Sequence, residues 1–419
     1  MFTTALRLYG KNDLRLEKFL LPALKEDEIL AKVICDSICF STWKEVNQGE
    51  NHKKVPNDIA VNPIIVGHEF CGEIVSVGKK WQHKFEVGKK YVVQANLQLP
   101  SLACPGYSFP YIGGEATYVI IPKEVLNQNC LLAYNGNTFF EGALIEPLSC
   151  VIGAFNANYH LIEGSYNHKM GIKPNGNLII IGGMGPMGML AIDYALHGPI
   201  NPKRIIVTGR TQNKIDYCQK HYPSNTTCDV IYVNVAQFTT PDEQKRYLMQ
   251  LVDNEGYDDV FIFVPEKDLI SVGSGILATD GCLNFFAGPQ DSKFEAAINF
   301  YDIHYAFTHY VGTSGGNTDD MREGIKLIEQ KKINVNKIVT HILGLDTAAY
   351  VTANQPSIPG GKKVVYSQKS LPLIELHKLM SEEQNQPFYI ELKNILVKTE
   401  GIWSKEAEDY ILAHAKNIE

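Results

Sequence analysis

Four side chains with metal-binding chemistry follow one another in the first part of the chain. Cys39 lies in DSICFSTWK, His68 and Glu69 lie in GHEFCGE, and Glu146 lies in EPLSC. Thiolate, imidazole and carboxylate groups are all zinc ligands, whereas structural zinc sites are usually built from Cys with or without His. The mixed set therefore favours a catalytic zinc that keeps room for water or substrate. Each residue alone also has an ordinary interpretation, since a lone cysteine is usually a small buried side chain.

A second motif, IIIGGMGPMGMLAIDYAL, has the spacing of a dinucleotide-binding turn. Gly183, Gly185 and Gly188 form GxGxxG between a strand-like run and a helix-like run. The glycines permit a tight turn, a close backbone approach to a pyrophosphate and close helix–strand packing. The helix N-terminus faces the anion. We expect Pro186 and Met187, which lie between the glycines, to contact the cofactor as well.

The next strand-like segment, RIIVTGRTQNK, ends without a carboxylate. Strands in this position normally end in Asp or Glu, which binds the ribose hydroxyls and disfavours a 2′-phosphate. Here Gly209 is followed by Arg210, and Lys214 lies nearby. A guanidinium suits a phosphate, so the sequence favours NADPH over NADH. In the alternative, Arg210 stacks on the adenine and both cofactors are accepted.

These motifs lie on two kinds of element. Before Glu146, short strands separated by Gly, Pro and Asn predict a partly open β-barrel. After it, alternating strands and helices predict a doubly wound parallel sheet, so the fold class is α/β. We expect a catalytic domain over residues 1–157 and 310–419, discontinuous and with a C-terminal extension. A dinucleotide-binding domain is expected over residues 158–309.

Composition limits the partners and the compartment. The 419 residues carry a formal net charge of −7, which argues against a nucleic-acid or anionic-membrane surface. The N-terminus lacks the pattern of a signal peptide, and no stretch is expected to be long and apolar enough to span a bilayer. The nine cysteines are odd in number and scattered, which favours the reducing cytoplasm.

With these motifs in this order, the chain resembles the zinc-dependent medium-chain dehydrogenases from its N-terminus to about Tyr366. The resemblance implies a GroES-like barrel and a Rossmann domain, with the catalytic zinc shell formed by Cys39, His68, Glu69 and Glu146. It also implies that Lys363, in GGKKVVYS, lies near the cofactor pyrophosphate. Glu146 followed by Pro147 is similar to the polyol dehydrogenase branch.

Further segments, among them YGKNDLRLE and WKEVNQGENHKKVP, resemble one sugar-phosphate reductase of that branch. They imply hydride transfer from NAD(P)H to the zinc-polarised ketone of a small sugar phosphate. We also expect a homo-oligomer, either a dimer or a tetramer. The alternatives are another polyol or polyol-phosphate dehydrogenase, and a non-catalytic nucleotide-sensing protein.

The chain departs from the family around the ligand cysteine. Ser41 keeps a hydroxyl that is expected to relay a proton, although a turn or cap serine is the alternative. The family's Asp and His are replaced by Thr42 and Lys44. Lys44 is expected to continue the relay or to hold a substrate phosphate, with a solvated lysine as the alternative. His52, Lys53 and Lys54 form a basic cluster that could also attract a sugar phosphate, but an exposed loop is favoured.

A further departure concerns the number of metal ions. The four-Cys lobe of many relatives is reduced to Cys104 in the region 94–111, so one catalytic zinc per chain is expected. Two carboxylates and a thiolate would place three negative charges around the zinc and weaken its Lewis acidity. We therefore expect Glu69 or Glu146 to bind weakly or through water, which lets a substrate oxygen reach the metal.

Overall fold

Strands dominate the first part of the chain, and strands alternate with helices after it. The computed structural model describes all residues, Met1–Glu419. In chain order the strands are β1 (Phe2–Gly10), β2 (Asp13–Leu20), β3 (Ile29–Ile38), β4 (Ile64–Ile65), β5 (Phe70–Val77), β6 (Lys90–Val93), β7 (Tyr118–Ile121), β8 (Leu131–Ala133), β9 (Tyr159–Leu161), β10 (His168–Met170), β11 (Asn177–Ile181), β12 (Arg204–Gly209), β13 (Asp229–Asn234), β14 (Tyr257–Ile262), β15 (Leu277–Phe285), β16 (His309–Gly312), β17 (Val339–Gly344), β18 (Lys362–Tyr366) and β19 (Ile374–Glu375).

The helices fall mainly after the first strands. They are α1 (Phe40–Gln48), α2 (Lys123–Asn127), α3 (Phe139–Ala143), α4 (Ile145–Ala157), α5 (Pro186–His197), α6 (Gln212–His221), α7 (Pro241–Gln250), α8 (Lys267–Ser274), α9 (Phe300–Tyr305), α10 (Thr318–Glu329), α11 (Leu345–Ala353), α12 (Leu376–Ser381), α13 (Pro387–Val397) and α14 (Lys405–His414).

The chain divides into two units, and the first of them is discontinuous. Unit 1 comprises Met1–Pro147, Asn317–Glu329 and Val335–Glu419, and unit 2 comprises Leu148–Gly316 and Gln330–Asn334. The chain passes from unit 1 to unit 2 after Pro147 and returns to unit 1 after Gly316. The expected domain boundaries are after residues 157 and 309. The cofactor motif lies in unit 2, and all four predicted zinc ligands lie in unit 1.

Unit 1 is built around β3, which has three strand partners. Strand β3 pairs antiparallel with β5, β7 and β18. Its residues are almost all buried, and they pack into a core with Phe70, Tyr91 and Val119. The predicted barrel of short strands is confirmed. The segment IIVGHEF looks like a single strand in the sequence but is interrupted, because β4 stops at Ile65 and β5 starts at Phe70.

Unit 2 contains the predicted doubly wound sheet. Six parallel strands are arranged in the order β13-β12-β11-β14-β15-β16. This is the order of two mononucleotide-binding halves around a central first strand. Strand β11 is buried along its whole length, as the continuous apolar run NLIII predicts for a parallel strand covered on both faces.

Two regions differ from the sequence-based expectation. The polar stretch before β11, rich in Asn, Gly and His, has the composition of a loop but contains an antiparallel hairpin of β9 and β10. The expectation that no segment could span a bilayer is also wrong by length and composition. The helical stretch Phe139–Ala157 has a mean hydropathy of 1.2, but 72% of it is buried within the fold. Burial of this extent is typical of a core helix, so the length and composition of this stretch are weak evidence for a membrane-spanning helix.

The C-terminal extension packs onto unit 1 through buried polar groups. The Glu408 carboxylate of α14 accepts hydrogen bonds from the backbone N–H groups of Phe139 and Phe140 at 2.7 and 2.9 Å. These are N–H groups at the start of α3 that no carbonyl of the helix can satisfy. Tyr366 in β18 donates to the same carboxylate, and the buried Trp403 donates to the Tyr366 hydroxyl. The extension is therefore part of the core of unit 1.

Burial raises the pKa of Glu408 to about 7, and this predicts a pH-dependent stability. An unfolded chain ionises this carboxyl near pH 4.5, so the folded state loses stability as pH rises from there to about 7. The wild type should lose free energy of unfolding on the order of 3 kcal/mol over this pH range, and Glu408→Gln should not show this loss. Thermal melting from pH 5 to pH 8 should therefore show the wild type losing stability relative to the variant.

The matched control is Glu406→Gln, which changes an exposed carboxylate on the same helix. The difference in melting temperature between Glu406→Gln and the wild type should stay constant over this pH range. The same pH trend in both variants would contradict the assignment to Glu408.

Candidate active site

Three predicted ligands come together at adjacent strand ends in unit 1. One donor atom each from Cys39, His68 and Glu69 lies within 4.8 Å of the others. Cys39 is the residue between β3 and α1, and the other two residues lie between β4 and β5. The backbone N–H of Ser37 donates to the carbonyl of Glu69 at 3.0 Å. Pairing of β3 with β5 thus brings the thiol next to the imidazole and the carboxylate.

The turn that carries the imidazole requires a glycine. Gly67 has a φ of +92°, a conformation that residues with a side chain rarely adopt. A Cβ atom there would also lie 2.6 Å from Asp36 Oδ2 and 2.8 Å from the backbone nitrogen of Glu115. Gly67 therefore allows the chain to leave β4 and direct His68 towards Cys39.

A buried ion pair holds the carboxylate of Glu69. Lys362 Nζ lies 2.5 and 2.6 Å from the two carboxylate oxygens, and both side chains are almost fully buried. Burial opposes the charged form of Lys362, but Glu69 and then Cys39 raise its pKa above the ordinary value. Sequence analysis missed this lysine. The GGKKVVYS motif offers two adjacent lysines, and only the register of β18 against β3 shows which one faces Glu69.

The protonation states around the donor atoms fit a divalent cation. Burial, and then the Glu69 charge, raise the pKa of Cys39 to about 12, so a nearby cation is needed to make it a thiolate. Burial lowers the pKa of His68 to about 4, which keeps the imidazole neutral, as a metal ligand must be. The donor set of sulfur, nitrogen and oxygen therefore fits zinc.

Hydroxyl groups lie beside both ring nitrogens of His68. Ser41 Oγ donates to Cys39 Sγ at 2.9 Å and lies 3.2 Å from His68 Nε2. Thr42 Oγ1 lies 3.4 Å from His68 Nδ1, and the Tyr107 ring packs against the imidazole with 4.9 Å between centroids. Partners of this kind orient ligand histidines. The sequence predicted the position of Ser41 next to the ligands, but it gave no sign of the contacts of Thr42 and Tyr107.

Glu146 and Lys44 lie near the three donors without joining their group. Glu146 is the second residue of α4 and is buried. Its charge contributes to raising the pKa values of Cys39 and Lys362. Lys44 lies in α1, where burial lowers its pKa and Cys39 partly offsets that effect. Both residues therefore influence the donor atoms electrostatically.

A separate pocket in unit 2 surrounds the glycine motif. Its lining includes Gly182, Gly185, Gly209, Arg210 and Lys214. Gly185 precedes α5, and a Cβ atom built on it would meet nothing within 4 Å. The first N–H groups of the helix therefore adjoin open space that a pyrophosphate can occupy.

The remaining motif residues do not line this pocket. A Cβ atom on Gly188 would lie 2.4 Å from the Cα atom of Gly183, and a Cβ atom on Gly183 would lie 2.6 Å from Val207 Cγ1, so the close helix–strand contact needs both glycines. Pro186 is the first residue of α5, and Met187 follows it. These four residues do not line the pocket, whereas the sequence analysis missed Gly182, which does.

Lys363 belongs to unit 1 and lies beside Lys362 in β18. It pairs in register with Ile38 of β3 and with His341 of β17. Burial, and then Lys362, lower its pKa to about 8. Lys363 therefore has the environment of a buried cation without a carboxylate partner.

Comparisons with known proteins agree with this architecture. Residues 25–129 match the family model of the alcohol dehydrogenase GroES-like domain. The chain is 59% identical over 417 residues to L-sorbose 1-phosphate reductase from Klebsiella pneumoniae, covering 99% of this chain and 98% of the relative. It is 41% identical to mannitol-1-phosphate 5-dehydrogenase from Aliivibrio fischeri (strain ATCC 700601 / ES114), covering 98% and 97% of the two chains.

Solved structures share the fold at low sequence identity. A zinc-binding dehydrogenase from Sinorhizobium meliloti 1021, bound to NADP, is 18% identical with a TM-score of 0.71. The match covers 87% of this chain and 99% of the other. The fold and the site define an oxidoreductase that acts on a CH–OH group. The chain belongs to the zinc-dependent medium-chain dehydrogenase family, and the resemblance of its segments to L-sorbose 1-phosphate reductase is confirmed.

We predict that Lys362→Met strongly destabilises unit 1. The substitution leaves Glu69 as a buried charge without its partner, which costs about 3–5 kcal/mol. Denaturant unfolding of the metal-free protein measures this loss, and adding Glu69→Gln should recover part of it.

Lys363→Met is the control, since it removes a neighbouring buried ammonium that no carboxylate pairs. It should be neutral or stabilising, because the isolated charge opposes burial. Equal losses in the two lysine variants would contradict the specific role of the Lys362–Glu69 ion pair.

Proposed function

We propose that the protein reduces L-sorbose 1-phosphate to D-glucitol 6-phosphate, with hydride supplied by NAD(P)H. The observation that carries this proposal is the 59% identity over almost the whole length of a relative named for that reductase activity. The cluster of Cys39, His68 and Glu69 supports it, because a ketone reductase of this family needs a metal site. A nucleotide-sensing protein would not need that cluster.

The residues of unit 1 have distinct tasks in this reaction. Bound zinc would supply a Lewis acid for the ketone oxygen, and bound nicotinamide would supply the hydride. Ser41 carries a proton on Oγ beside Cys39 and His68, and we assign it to pass that proton to the reduced oxygen. We assign Lys44, whose pKa is lowered by burial, to replenish the proton on Ser41. Thr42 and Tyr107 keep the imidazole oriented.

We infer that one catalytic zinc is held by Cys39, His68 and the two glutamates. The carboxylates differ in their surroundings, and this supports a loosely held Glu69. Both oxygens of Glu69 already bind Lys362, which neutralises one negative charge among the ligands. That arrangement supports the expectation that one carboxylate yields its place to the substrate oxygen.

The central prediction concerns substrate and metal together. We expect kcat/KM for L-sorbose 1-phosphate to exceed that for L-sorbose, and activity to disappear on chelation and return with zinc. Cys39→Ala should lose bound zinc, measured by elemental analysis, and at least 100-fold of kcat, in the range of several kcal/mol that a Lewis acid contributes.

Other results would select the alternatives. Equal activity on sorbitol and its phosphate would favour a general polyol dehydrogenase. NADPH binding without any reduction by metal-loaded protein would favour a nucleotide sensor. Full turnover after metal removal would refute the proposed chemistry.

We further propose that NADPH is preferred to NADH. Strand β12 ends in Gly209, with no carboxylate to repel a 2′-phosphate, and Arg210 follows it at the pocket. The guanidinium is 73% exposed, and its nearest carboxylate, Glu266, lies 3.8 Å away. Such a loose pair leaves Arg210 able to bind a phosphate.

Arg210→Ala should lower kcat/KM for NADPH by roughly 10- to 100-fold, the effect of one charged hydrogen bond. The value for NADH should change much less, because NADH lacks the phosphate. Arg246→Ala, which removes an arginine outside the pocket lining, is the control and should leave the ratio unchanged. A higher kcat/KM for NADH in the wild type would refute the preference.

We infer a homo-oligomer, a dimer or a tetramer. Helix α9 exposes Phe300, Tyr301 and Tyr305, and the neighbouring strand β16 is at an edge of the parallel sheet. Exposed apolar clusters of this kind mark protein interfaces, and light scattering would give the mass of the assembly.

The nine cysteines are all free thiols, which supports a reducing compartment such as the cytoplasm.

A further inference from the structure

Lys54 brings a positive charge close to the proposed zinc ligands. Its Nζ atom lies 4.9 Å from the centre of the Tyr107 ring, and the same ring packs 4.9 Å from the His68 ring. The backbone is fixed as well, because Ser108 Oγ donates to the carbonyl of Lys54 at 2.7 Å. Tyr107 therefore links the ammonium to the metal ligand.

No carboxylate forms a salt bridge with Lys54, and its side chain hydrogen-bonds the Cys104 thiol. Burial, and then Glu115, raise the pKa of Glu45 well above its usual range while Lys54 opposes this shift, and neither Glu45 oxygen has a hydrogen-bond partner. Burial raises the pKa of Cys104 to about 11 and lowers the pKa of His52 to about 4. Burial thus disfavours the charged form of each of these three side chains around the cation.

A cation without a salt-bridge partner is suited to an anionic ligand. Charge-assisted hydrogen bonds to phosphate are stronger than neutral ones, and the Lys54 ammonium is not engaged in a salt bridge. In a ketose 1-phosphate, the phosphate is carried by the carbon next to the ketone. The phosphate site must therefore lie beside the ligands of the metal, which is where Lys54 lies.

We propose that Lys54 binds the phosphate group of a ketose 1-phosphate and thereby selects the phosphorylated sugar over the free sugar. This inference rests on the proposed function. It assigns Lys44 to the proton relay alone, and it separates Lys54 from its neighbour Lys53, which is exposed.

The test compares two substrates in three variants. For Lys54→Met, the ratio of kcat/KM for L-sorbose 1-phosphate to that for L-sorbose should fall roughly 10- to 100-fold, mainly through KM for the phosphate. Lys54→Arg keeps the charge and should retain most of the ratio. Lys53→Met changes the adjacent lysine and should keep the wild-type ratio. KM for NADPH should be the same in all three variants.

The possible outcomes separate this inference from the proposed function. If the wild type shows no preference for the phosphorylated sugar, both are overturned. If the wild type prefers it and Lys54→Met keeps that preference, only the role of Lys54 is overturned. Melting curves check folding, and if Lys54→Met does not fold, Lys54→Gln gives the same comparison with a neutral polar side chain.

Discussion

The ion pair between Lys362 and Glu69 is the constraint on which the site depends. Both groups are almost completely buried, with Nζ–O distances of 2.5 and 2.6 Å. Desolvation of two charges is expensive, and a close, well-hydrogen-bonded geometry is what offsets it. The pair can form only where β18 lies next to β3 and β3 lies next to β5. Its geometry therefore requires that the barrel is correctly assembled.

This ion pair also determines the balance of charge around the donor atoms. Burial, and then the charge of Glu69 with a smaller effect of the neighbouring Glu146, disfavour ionisation of the Cys39 thiol. Lys362 contributes the opposite charge and partly lowers the pKa of Cys39. The site thus contains a built-in cation beside the donor atoms, which would make a bound metal a stronger Lewis acid.

Both ends of the chain contribute to unit 1. Cys39 and His68 come from its first part, whereas Lys362 comes from β18, which follows the whole of unit 2 in sequence. The C-terminal extension is joined to the same strand, since Glu408 accepts from Tyr366 in β18 and from the start of α3. The site is consequently sensitive to groups that are distant from it in sequence, and the extension has a structural role in the catalytic unit.

The classes of element and the chemistry of the main ligands follow from the sequence, because periodicity, glycine spacing and residue type are local properties. It predicted the parallel sheet, the dinucleotide turn and the meeting of Cys39 with His68 and Glu69. The assembled fold was needed to show that Lys362 pairs with Glu69 while Lys363 does not, since adjacent strand residues point to opposite faces. It likewise revealed the surroundings of Lys54, because burial and register depend on contacts between segments far apart in the chain.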